Sequence, residues 1–368
     1  MRDNLIVMLA LLPLAAPLRG QSLHVPAAFA SVDAPSSGHL AGVTFRGRQQ
    51  ILVSSQLLAP LAGKTVDGIW FRRDPGWPGA LPAGSSAWVI RISETPVMPA
   101  DSRRAFASNH GGAVTTCFQG PVLIPASPAP AVDPWALDQT IRVGLSPSFS
   151  YTGGNLCLEI ESTAASQLVA KWPVDCAFEP MDGAAALLGT HCSLALDLPP
   201  RQSLFTIPAQ LTVGATAQFS LLGRVGTVAA LVFGSEIQGG VDLTAAGMTG
   251  CTLQLQPVVS ISTLLLARPN TSPNWDIAGA TIGLEIPFTP TLLSGTFAAQ
   301  AVNLETGSQT SNPLGVTLSQ GLRVTLASTI PTLGMALVDS PPIDPPAPLP
   351  TEGTVINNRA PVLKLLYH

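Results

Sequence analysis

Apolar and polar side chains alternate with a period of two along much of this chain, most clearly where Trp88, Ile90 and Ile92 are set against Val89, Arg91 and Ser93. Alternation of that period belongs to a strand with one face buried. The pattern predicts strands over 49–58, 66–73, 86–94, 114–119, 141–145, 156–161, 168–172 and 193–198, with Gly, Pro, Asn and Asp clustered between them. Pro199-Pro200-Arg201-Gln202 breaks the series. A second series runs over 211–222, 228–234, 251–256, 261–267, 277–286, 295–305, 314–318 and 321–326. Helical spacing with caps is hardly visible, and only 53–62 leaves room for a turn or two. The fold class expected is therefore all-β, with two consecutive β-sandwich domains of jelly-roll or Ig-like kind and a Pro-rich C-terminal extension. The divisions expected are 21–200, 201–330 and 331–368. From Pro341 to Pro350 six of ten residues are proline, which cannot donate ladder hydrogen bonds and favours an extended connector. Pro361–Tyr367 reads as one last strand docking back on a sheet.

Composition supports this picture. Charged residues are 11% of the chain and lysine occurs only at 64, 171 and 364, too few for long solvent-facing helices. Ahead of the strands, Arg2 precedes a fourteen-residue apolar stretch, Leu5–Leu18, and then Arg19-Gly20-Gln21. Residues 1–20 read as a secretory signal cleaved after Gly20. The stretch is shorter than the roughly 20 apolar residues of a membrane span, so no membrane-spanning segment is expected once it is removed. Removal leaves 16 basic and 21 acidic side chains, a net charge of −5, and no basic patch for nucleic acid. The expected location is secreted, periplasmic or on the cell surface.

The five cysteines fit an oxidising compartment but leave one spare. Alternation places Cys251 with Leu253 and Leu255, as a buried free thiol. Cys117 and Cys157 fall on polar strand faces, where a cross-strand bridge is possible, and Cys176 and Cys192 flank a loop. Of the three pairings of those four, Cys176–Cys192 with Cys117–Cys157 is preferred.

Three stretches carry a likeness to known proteins: Gly250-Cys251-Thr252-Leu253-Gln254-Leu255, Ile286-Pro287 through Leu292-Leu293-Ser294-Gly295-Thr296-Phe297 to Ala301, and Ser311-Asn312 through Gly321-Leu322. Over roughly residues 205–328 the chain resembles a β module recurring near the C-termini of exported planctomycete proteins. Its function is uncharacterised. The stretch from Ser22 to Ile160 is similar to sandwich domains of the same kind of protein. The resemblance implies a β fold and export, and brings no catalytic residue with it.

Candidate chemistry is sparse. There is no Gly-x-Ser-x-Gly elbow, no Cys-x-x-Cys, and no histidine pair at i, i+4 among His24, His39, His110, His191 and His368. His24, Asp33, Ser36 and His39 form a weak cluster. Glu159 and Glu161 share a strand face, as paired carboxylates of a glycosidase must, although a solvated strand face explains them more simply. Asp175, Glu179 and Asp182 offer oxygen ligands for Ca²⁺ in an extracellular loop; apart from that possible calcium, no cofactor is expected. Trp70, Trp88 and Trp172 sit in apolar strands as core, and Trp275 follows a polar turn. Trp77 lies in Asp74-Pro75-Gly76-Trp77-Pro78-Gly79, a loop that could present the ring at a sandwich rim for a ligand, although a ring tucked over the end of the core is the favoured placement because burying an aromatic is favourable. The function expected is non-catalytic: an exported binding or structural protein of the cell envelope or secreted fraction, with carbohydrate or an envelope protein as partner. The alternative is a secreted hydrolase whose site is assembled from distant loops.

Overall fold

A computed structural model describes residues 20–162, 172–192, 203–267, 277–304, 314–343 and 347–368. The predicted signal (all but Gly20), the predicted strand 193–198, most of 168–172, and Trp275 lie outside the described residues. Within them the chain is all-β with short 3₁₀ turns, one of which, Ala59–Leu61, falls in the 53–62 stretch. No helix among the described residues is long and apolar enough to cross a membrane.

The alternation at 88–93 is realised in the strand Gly84–Thr95, where Trp88, Ile90 and Ile92 face a core. That strand belongs to a six-stranded sheet in the order Thr354–Ile356, Met335–Asp339, Arg48–Val53, Asn155–Ser162, Gly84–Thr95, Thr115–Ile124. A four-stranded sheet in the order Gln21–Val25, Leu363–Tyr367, Lys64–Arg72, Thr140–Tyr151 shares its core. All of these pairings are antiparallel. A small third sheet, Ser36–Gly38, Val174–Phe178 and Arg359–Pro361, adds Val174 and Cys176 to the same core. Gly42, at φ +80°, lets the backbone run against the Trp88 indole where a Cβ would collide.

The second sandwich packs Ala184–Leu188, Gly321–Thr325, Thr296–Leu304, Val228–Asp242 and Thr252–Leu264, with Val316–Leu318 also on Thr296–Leu304, against Leu204–Thr206, Thr216–Arg224, Ile277–Glu285 and Leu266–Ala267. Phe219 and Phe233, one from each sheet, meet edge to face with centroids 5.3 Å apart.

Strand pairing draws the division between the sandwiches away from residue 200. Ala184–Leu188 pairs with Gly321–Thr325 and so belongs to the second sandwich. The last strand does dock back: Leu363–Tyr367 lies between Gln21–Val25 and Lys64–Arg72, with Leu363 and Leu365 wholly buried. The first sandwich is thus made of residues up to Phe178 together with those from Met335 onward, and the second is inserted between them. Proline clusters mark where strands stop; they do not say which sheet the next strand joins.

The same topology corrects the cysteine pairing. Cys192 is bridged to Cys251, with Cα atoms 5.0 Å apart, while Cys117, Cys157 and Cys176 are buried free thiols. Cys251 precedes the strand Thr252–Leu264, so strand alternation does not apply to it. Cys117 faces the core at a bulge of the edge strand, whereas Cys157 lies on the opposite face of that sheet, two strands away. Cys176 is in the first sandwich, with its sulfur packed on Gly38. Burial pushes the Cys117 thiol up to about 11 and that of Cys176 to about 12, so both stay protonated.

Candidate functional site

The strand Lys64–Arg72 runs out into the Trp77 loop, and two buried arginines set the course of the chain there. Arg73 donates from Nη1 to Ser127 Oγ (2.7 Å) and from Nη2 to the carbonyls of Trp77 (2.7 Å) and Gly79 (2.9 Å). Its guanidinium holds the loop from beneath by the backbone. Gly76 N–H donates to Asp74 Oδ1 at 2.8 Å, closing the turn. The Trp77 ring remains 45% exposed. Of the two placements weighed from sequence, this exposure fits the ring at the rim and runs against the favoured one, a ring tucked over the end of the core.

Arg72, with no exposed surface, reaches the other way. Its Nε donates to Asp175 Oδ2 (2.7 Å) and its Nη2 to the Val32 carbonyl (2.5 Å). Ala34 N–H donates to both Asp175 oxygens, at 3.2 and 3.3 Å. The buried Arg72–Asp175 pair thereby grips the chain on both sides of Asp33. Asp33, Asp74 and Asp175 each bring a carboxylate oxygen to within 4.8 Å of the others. Burial and the neighbouring Asp74 push Asp33 up; burial, only partly offset by Arg72, leaves Asp175 at about 6.

The acidic set expected for calcium is not the one the fold assembles. Asp175 joins Asp33 and Asp74, while Glu179 and Asp182 are taken up separately. Glu179 accepts from Thr332 N–H (2.6 Å), Leu333 N–H (2.7 Å) and Thr332 Oγ1 (2.9 Å). Asp182 accepts from Ser328 N–H (2.8 Å) and Oγ (2.5 Å). Both clamp the strand-free segment leaving the first sandwich to the one returning to it, and these bonds occupy the oxygens that a cation would need. Sequence carries no sign of the Asp33–Asp74–Asp175 convergence. It is created when Ser36–Gly38 pairs with Val174–Phe178 and Arg73 bridges to Val174.

Glu159 and Glu161 are also placed differently from a solvated strand face. They are 3% and 4% exposed, covered by Arg48, Arg91 and the turn carrying Phe106 and Asn109. His110 Nε2 lies 3.3 Å from Glu159 Oε2, and His110 Nδ1 lies 2.8 Å from Ser93 Oγ. This resembles a nucleophile–base–acid chain in composition, but Ser93 is wholly buried, so a substrate has no path to its oxygen. His24 packs on Trp135, with centroids 5.0 Å apart. Trp70 is not core: it is half-buried under the Arg142 guanidinium (3.8 Å) and the Lys364 ammonium (4.7 Å). Its ring already has cation partners within the protein.

No family model, curated protein or solved structure matches the chain.

Among the described residues, the loop Asp74–Gly79 offers a partner an exposed indole on a fixed backbone, with the exposed Asp33 carboxylate near Gly76 of the same loop.

Proposed function

We propose that this is an exported, non-catalytic binding protein that takes saccharide at the rim of its first sandwich. The observation that carries the reading is Trp77, 45% exposed on a loop held by the buried Arg73. A pre-fixed aromatic ring stacks on a sugar face with little ordering cost. The exposed Asp33 carboxylate, near Gly76 of the same loop, supplies an acceptor for sugar hydroxyls. Export is supported by the signal-like N-terminus and by the Cys192–Cys251 bridge, of a kind that persists in oxidising compartments.

The test is retention of the purified mature protein on a panel of glycans and envelope fractions, with Trp77→Ala alongside. The parent is expected to be retained and the variant to lose at least tenfold in affinity, about 1.4 kcal/mol. The unfolding midpoint of the variant should stay close to that of the parent. Equal retention of both proteins, or of neither, overturns the reading.

A further inference from the structure

A second place on the molecule has the marks of a ligand site and shares no residue with the Trp77 rim. Where the sandwiches meet, the segment 354–361 of the first, whose strands Thr354–Ile356 and Arg359–Pro361 belong to different sheets, lies against Ile207–Gln210, Gln218 and Thr281 of the second. The turn between its strands locks the junction. Asn357 donates to the carbonyls of Ala100 (3.2 Å) and Val213 (2.8 Å), and Asn358 to those of Glu179 (2.9 Å) and Ala209 (3.0 Å). Beside this turn the surfaces leave a cleft of about 470 Å³, within the range that small ligands occupy and in a usual place for them, between folded units.

The polar lining of the cleft is incompletely satisfied. Gln210 is 8% exposed and its side-chain oxygen is enclosed with no donor. Arg359 has an enclosed Nε with no acceptor and makes no ion pair among the described residues. A buried polar group left without a partner costs about 1–3 kcal/mol, and such groups are rare in a finished interior. Gln210 and Arg359 both line the cleft, so a molecule carrying an anion at one end and a hydroxyl at the other can address both residues. Phe178, Ile207 and Ile356 supply apolar wall for a ring face. The single guanidinium, with the Asp339 carboxyl also on the lining, matches one planar carboxylate better than a doubly charged phosphate.

We propose that this cleft binds a hydroxylated monocarboxylate of uronic-acid type, with its carboxylate on Arg359 and a hydroxyl donating to the Gln210 carbonyl. The probe is D-glucuronate, titrated calorimetrically into the full mature chain, with glucose and acetate as comparators. One site per chain is expected, and each comparator should bind at least tenfold more weakly because it lacks one of the two groups. Arg359→Gln should lower glucuronate affinity at least tenfold, and Gln210→Met should lower it with the apolar walls retained. If one of the two variants fails to fold, the other decides. Repeating the titration in the Trp77→Ala background removes any heat from sugar held at the rim and reads the cleft alone. No saturable heat up to about 10 mM glucuronate, comparators that bind as tightly, or folded variants that bind like the parent would each overturn the assignment.

Discussion

Asp339 shows how one side chain can set a pH dependence. It lines the inter-sandwich cleft, accepts a hydrogen bond from Gln49 at 3.0 Å, and is pushed by burial from 3.8 up to about 7, with Gln49 and Arg359 opposing. A raised carboxyl keeps in the folded state a proton that the unfolded chain releases. Its contribution is therefore fully present below about pH 4 and is lost as pH rises through 7. Asparagine keeps the shape and the acceptor for Gln49 but cannot ionise. Asp339→Asn should match the parent near pH 4 and exceed it above pH 7 by on the order of 2 kcal/mol, discounted for the open cleft. Thermal unfolding from pH 4 to 8 checks this, and parallel curves for the two proteins would rule it out. Glu94 and Glu159 behave oppositely. Against burial, hydrogen bonds from Thr152 and Gly154 hold Glu94 low, and His110, Arg48 and Gln50 hold Glu159 low. Their contribution is present above about pH 4.5 and fails as pH falls through their depressed values. Glu94→Gln should accordingly lose its disadvantage against the parent below about pH 4.

Among the elements, the last strand is the one whose position most changes the reading of the chain. Leu363 and Leu365 point into the first core while Lys364 covers Trp70 on the other face, the same alternation that marks Trp88, Ile90 and Ile92. Leu365→Ala should cost about 2–5 kcal/mol, the range for a large aliphatic truncated in a core, as measured by urea unfolding. A change under about 1 kcal/mol would mean that this strand is not holding the sheet together. The Cys192–Cys251 bridge makes a second demand. Closing its 59-residue separation is worth about 4 kcal/mol in the chain-entropy model. Peptide mapping without reductant should find that pair alone, with Cys117, Cys157 and Cys176 alkylated only after denaturation. Local pattern gives away the strands, which depend on neighbours in sequence, but not the exposure of Trp77, for which burial over the core is the favoured reading. It fails for the cysteines, for Glu159 and for the acidic cluster because these depend on which strands pair. A polar strand face, for example, looks solvated until the turn anchored by Phe106 covers it. Asp33, Asp74 and Asp175 have no common signal at all, being brought together by the small third sheet and the Arg73–Val174 bridge.

On the scale of the molecule, the second sandwich is an insertion, and its two connections are held side by side by the carboxylates that in sequence resemble calcium ligands. Glu179 binds Thr332 and Leu333, and Asp182 binds Ser328, so the chain leaves the first sandwich and re-enters it at one place. Each sandwich has its own apolar core, one containing Trp88 and Leu365 and the other Phe219 and Val324. Contact between them rests on the Asn357–Asn358 turn and a few polar bonds, including Gln218 to Thr354 at 3.0 Å and Val355 N–H to Thr216 Oγ1 at 3.0 Å. An interface of that kind resembles contacts between domains and not the interior of one. Residues 183–331, expressed alone into an oxidising compartment, should therefore fold, form the Cys192–Cys251 bridge and unfold cooperatively. The remainder, with residue 182 joined to 332 by a short Gly/Ser linker, should keep the first core and the Trp77 rim. It should lose glucuronate binding at the junction, because Gln210 leaves with the insert. If the excised segment shows no cooperative transition while the full chain unfolds in one step, the two cores are a single folding unit and the insertion describes topology alone.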